Sequence, residues 1–73
     1  MKYNALSYLQ SRLDHLQNPV NLSEFLFDME EYYTTTASER AFYPCKQNYI
    51  TMCAENWKAE IEQVTNKLTH LTQ

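Results

Sequence analysis

Residues 44–71, PCKQNYITMCAENWKAEIEQVTNKLTHL, carry the longest periodic apolar pattern in the chain and decide its fold. Ile50, Cys53, Trp57, Ile61, Val64, Leu68 and Leu71 follow one another at steps of 3, 4, 4, 3, 4 and 3. At about 100° per residue these side chains fall on an arc of about 80°, with Lys58, Glu62 and Asn66 turned away. The spacing predicts one long amphipathic helix over 44–71, with Pro44 suited to its first position. A stripe this narrow buries little alone and needs other helices laid against it, so the upstream segments are read as its cover.

Those segments are helical by the same logic. Leu6, Leu9, Leu13 and Leu16 are spaced 3, 4 and 3, which predicts a first helix over 3–17. Asn18-Pro19 stops it, because the residue before proline is pushed out of the α region and proline donates no amide. A second helix is expected over 21–33, capped by Asn21 with Glu24 reaching back and with Val20 stapled onto Phe25. Its buried face is Leu22, Phe25, Leu26, Met29 and Tyr33, while Glu24, Asp28 and Glu31 take the other side and Phe27 joins them there. The run Thr34-Thr35-Thr36 lowers helix propensity and is read as a loop. Thr36 with Glu39, or Ser38 alone, caps a short turn over 37–43, and Tyr43-Pro44 disfavours its continuation. The pattern leaves open whether 37–71 is one helix kinked at Pro44 or two. No stretch alternates as a strand would. The expected fold is all-α, one domain, a small bundle of three main helices at about 3–17, 21–33 and 44–71.

Seventy-three residues hide too little surface to leave room for a walled catalytic cavity, so an enzyme is disfavoured. The chain has no glycine, which removes phosphate-cradling loops and primed hairpin turns. Net charge is −3, and its distribution matters more: no Lys or Arg lies between Arg12 and Arg40, whereas Asp14, Glu24, Asp28, Glu30, Glu31 and Glu39 do. An acidic middle repels phosphates and anionic lipid, so neither nucleic acid nor membrane is an expected partner. The natural partner is a larger cytosolic protein with a basic surface. No apolar run follows Lys2 and none approaches a membrane span, so a cytoplasmic location is expected. Cys45 and Cys53 stand eight residues apart on one expected helix, about 12 Å along its axis, beyond the reach of a disulfide, and are read as reduced thiols.

Residues that could carry chemistry are few. His15 and His70 have no ligating residue at i+3 or i+4, and Asp28, Glu30 and Glu31 lie on an expected helix without the glycine turn of a calcium loop, so no metal or other cofactor is expected. Cys45 in a helix first turn beside Lys46 makes a thiol-based enzyme or redox protein the weakest reading, since no local base accompanies it. Ten aromatic residues are more than so small a core takes. The expected partner-binding patch is Phe27 with Asp28, Glu30 and Glu31, joined by Tyr49 and Met52 from the off-stripe side of the long helix. The expected function is a regulator, inhibitor or adaptor acting through that surface; in one variant, its carboxylates stand in for nucleic-acid phosphates. The alternative is a self-associating structural or chaperone-like component. There Val64, Leu68 and Leu71 would lie beyond the shorter helices, and a second copy would cover them to give a homodimer, unless the two shorter helices stack end to end along the long one.

Two amphipathic helices about an Asn-Pro turn resemble short helical hairpins, among them components and co-chaperones of bacterial secretion systems and small phage-encoded inhibitors. The likeness is one of size and class, and no functional residue is carried across by it.

Overall fold

The computed structural model describes residues 4–72. Among these, four helices form and no strand: α1 (Ala5–Gln17), α2 (Pro19–Thr35), α3 (Ala37–Phe42) and α4 (Lys46–Leu71). Tyr3, the expected first residue of the first helix, lies outside the described residues. Asn4 caps α1, its side-chain oxygen accepting from the Ser7 amide at 3.2 Å.

The start of α2 corrects the sequence reading. The cap is Asn18, not Asn21, and Pro19 opens the helix. Asn18 is extended at φ −76° and ψ 117°, the conformation that a following proline enforces and that a cap requires, and its side-chain oxygen accepts from the Val20 amide at 3.0 Å. Proline needs no amide partner at that position, so the helix begins two residues earlier than expected. Asn21 turns backward instead, donating to the His15 carbonyl at 2.9 Å and meeting His15 Nδ1 at 3.2 Å.

Nor is 34–36 a loop. Thr34 and Thr35 donate their hydroxyls to the carbonyls of Glu30 and Glu31 at 2.9 and 3.0 Å, and α2 continues through both. Only Thr36 leaves the helix; it stands between α2 and α3 without a side-chain capping bond. The break at Pro44 is complete: Tyr43, ahead of the proline, is outside the α region, and α4 starts at Lys46 with Cys45 as its flanking residue. Pro44 therefore lies in the link and not at the first helical position.

Cross-helix partners define how these elements lie. Arg12 pairs with Glu60 at 2.8 Å, Trp57 reaches Leu16 and Phe25, Met29 and Tyr33 meet Tyr49, and Glu30 meets Lys46. Numbers rise on one side as they fall on the other, so α1 and α2 follow each other antiparallel along a single α4, and Asn18-Pro19 makes a corner between them. At 1.5 Å per residue α1 and α2 together run about 45 Å and α4 about 39 Å, in keeping with a molecule of 44 × 23 × 21 Å. The shorter helices thus stack end to end along the long one. This corrects the reading of Val64: it lies in the half of α4 that α1 covers and is buried.

The corner is held by its own unsatisfied carbonyls. A helix leaves its last four C=O groups without intrahelical donors. Here the His15 carbonyl takes the Asn18 amide and the Asn21 side chain, and the Leu16 carbonyl takes the Trp57 indole N–H at 2.8 Å. The Leu16 side chain beside them is the most deeply buried among the described residues, at 1 % exposure. Along the α2 half, Tyr33, Tyr49 and Cys53 form a second buried cluster, flanked by Phe25, Leu26, Met29, Tyr43, Ile50 and Met52.

Candidate functional site

The outward face of α2 is set by its inward one. Leu22, Phe25, Leu26, Met29 and Tyr33 turn toward α4, and Phe27 stands about 140° from the middle of that face at 100° per residue. Its ring is 63 % exposed. Glu24, Asp28, Glu30 and Glu31, all exposed, surround it at −3, +1, +3 and +4. Glu30 meets Lys46 at 2.5 Å with both side chains about half exposed. Among the described residues Glu24, Asp28 and Glu31 form no ion pair. Arg40 is directed elsewhere, donating to the carbonyls of Tyr33 and Thr34 at the end of α2.

Two shallow depressions adjoin the Phe27 ring. One is lined by Ser23, Glu24 and Asp28, the other by Glu30, Glu31, Thr34 and Thr35, and Phe27 is a wall of both. An apolar ring between open, acid-rimmed hollows can seat a cationic side chain on either side, the stem against the ring and the head against carboxylate. The hollows are too open to exclude water from a reaction.

Phe27, Asp28, Glu30 and Glu31 are therefore brought together on one surface, and Tyr49 and Met52 are not part of it. Tyr49 is buried at 3 % exposure, its ring 5.1 Å from Tyr33 and 5.5 Å from Tyr43, its hydroxyl directed to Met29 sulfur at 3.9 Å. Met52 is half-buried against the same cluster. The reason is positional: Tyr49 precedes Cys53 by four residues, so it extends the buried stripe by one turn, and α2 and Tyr43 close over that side. The i, i+4 relation to Cys53 was the available signal. Burial pushes the Tyr49 hydroxyl up to about 12, with the neighbouring Cys53 thiol adding to the effect, and burial raises the Cys53 thiol as well.

The remaining candidates are scattered. Cys45 is an exposed free thiol and Cys53 a buried one. His15 belongs to the corner, its ring 6.2 Å from Trp57. Leu71 is 52 % exposed and Leu68 half-buried, and Leu71 lines a shallow groove with Leu9, Asn66, Lys67 and His70. Val20, expected to staple onto Phe25 ahead of an Asn21 cap, instead lies inside the first turn of α2 behind the Asn18 cap and is widely exposed. Phe42, which the sequence reading did not single out, is widely exposed as well; it directly precedes the Tyr43-Pro44 break, where a helix ends at the surface. No group of three or more His, Cys, Asp or Glu side chains among the described residues is placed to hold a metal ion, and no described helix is long and apolar enough to cross a membrane. No protein-family model matches the chain, and neither a curated protein nor a solved structure proves significantly similar to it.

Proposed function

We propose that this chain is a small interaction module, a regulator, inhibitor or adaptor that docks the outer face of α2 onto a basic surface of a larger cytosolic protein. In this reading α1, α2 and α4 are the bundle that holds the face rigid, and the chain performs no chemistry of its own. The observation that carries it is Phe27, 63 % exposed among three carboxylates that form no ion pair among the described residues. An exposed phenylalanine forgoes burial, and aromatic anchors within a polar rim are the usual centres of interfaces. The carboxylates favour a cationic partner and disfavour nucleic acid. Affinity capture from the native cell tests it. Wild-type chain is expected to retain a specific protein that Phe27→Ala and Asp28→Lys both lose, with helix content by circular dichroism unchanged. Equal capture by all three would remove the α2 face from consideration.

A second reading, self-association, rests on Leu71 and the groove it shares with Leu9 and His70. A second copy laid across that end would cover Leu68 and Leu71 with the same residues of its partner. Light scattering at micromolar concentration is then expected to report a dimer that Leu71→Glu converts to monomer while leaving its circular dichroism intact. A monomeric wild type removes this reading.

A further inference from the structure

We propose that the occupant of the α2 face is an α-helical segment presenting two basic residues seven positions apart, one on each side of Phe27; this rests on the docking reading above and names the partner's chemistry. Phe27 separates two depressions, the first lined by Ser23, Glu24 and Asp28, the second by Glu30, Glu31, Thr34 and Thr35, with Glu30 already paired to Lys46. Glu24 and Glu31 are themselves seven residues apart on one stripe of α2, about 10 Å along its axis. On a partner helix, positions i and i+7 share a face and span the same rise of about 10 Å. An arginine or lysine at each would lay its aliphatic stem against the Phe27 ring and deliver its charge to Glu24 and Asp28 in one hollow and to Glu31 in the other. Closer spacings do not fit: i and i+4 span about 6 Å and crowd both cations into one hollow. An extended peptide matches less closely, since same-face side chains recur at about 6.6 Å and about 13 Å, on either side of the rise of about 10 Å between Glu24 and Glu31. Lys46 meets Glu30 at the wall of the second hollow and forms an ion pair with none of the three carboxylates the cations would use.

Isothermal titration of the full chain tests this with three capped alanine-based peptides of sixteen residues and two arginines each. The first places its arginines seven apart, the second four apart, and the third keeps the seven-residue spacing but is broken by proline between them. The first is expected to bind about tenfold tighter than either control, and Phe27→Ala or the pair Glu24→Gln and Glu31→Gln to remove that advantage. Equal affinity for all three peptides, no binding of any, or an advantage that survives Phe27→Ala overturns the proposal. If the peptides fail while Phe27→Ala still abolishes capture of the cellular partner, the helical occupant is wrong and the docking face stands; if capture is also unchanged, both fall.

Discussion

Trp57→Ala is expected to destabilise the chain by about 3 kcal/mol, a large share of what so small a domain holds. Three losses coincide at this residue. The indole ring leaves Phe25, 4.8 Å away, and His15. Its N–H no longer satisfies the Leu16 carbonyl, which the corner at Asn18-Pro19 has deprived of a helical donor. The gap opens beside Leu16, the most deeply buried side chain among the described residues. The figure sits at the low end of aromatic truncations because Trp57 is itself only half-buried. Trp57→Phe isolates the polar part: it keeps a ring near Phe25 and orphans the carbonyl, for an expected cost of about 1–2 kcal/mol. Urea titration followed by circular dichroism measures both. A loss well under 1 kcal/mol for the alanine variant would mean that α1 does not depend on this contact for its seat on α4.

Tyr49→Ala is expected to cost about 3–5 kcal/mol, because it empties the centre of the other cluster, where the ring packs between Tyr33 and Tyr43 and beside Cys53. Its hydroxyl adds a signature that a plain core residue would lack. Burial raises its folded pKa to about 12 from an ordinary 10, so the folded state holds the proton more tightly than the unfolded chain does. Stability from this group is complete below pH 10 and is lost as pH rises from 10 through 12, where the unfolded state binds fewer protons. Cys53, raised in the same sense, contributes a further decline that starts above its ordinary value of 9.0. Tyr49→Phe keeps the ring and should flatten the alkaline arm of a urea-midpoint profile above pH 10, while leaving the neutral midpoint within about 1.5 kcal/mol of wild type. An unchanged alkaline arm would show that the hydroxyl is not held neutral by burial.

Under the docking function proposed above, both variants also act through rigidity. The α2 face that carries Phe27 and its carboxylates is seated by Phe25, Met29 and Tyr33 on the opposite side of the same helix, so loosening either cluster should weaken the proposed docking without altering the proposed contact residues.

What the amino-acid sequence determined alone is whatever depends on angle about a helix axis and on backbone chemistry. The 3- and 4-residue steps of Leu6 to Leu16 and of Ile50 to Leu71 specify helices and one apolar side for each. Asn18-Pro19 and Tyr43-Pro44 specify breaks, since proline restricts the residue before it whatever the surroundings. The exposure of Phe27 and the sign of its neighbourhood were legible for the same reason: a side chain about 140° from a buried face points away from it, and no lysine or arginine is interposed. Only the tertiary structure decided what depends on where the neighbouring helix lies. Tyr49 sits at the edge of its stripe, where periodicity alone permits either solvent or core, and α2 with Tyr43 made it core. Val64 was placed inside by a corner at Asn18 that sends α2 onward along α4 and leaves α1 over the far half. A proline stops a helix without setting the direction in which the next one leaves. That direction was set by partners distant in the chain, among them the Trp57 indole on the Leu16 carbonyl, 41 residues away, and such pairings have no period to read.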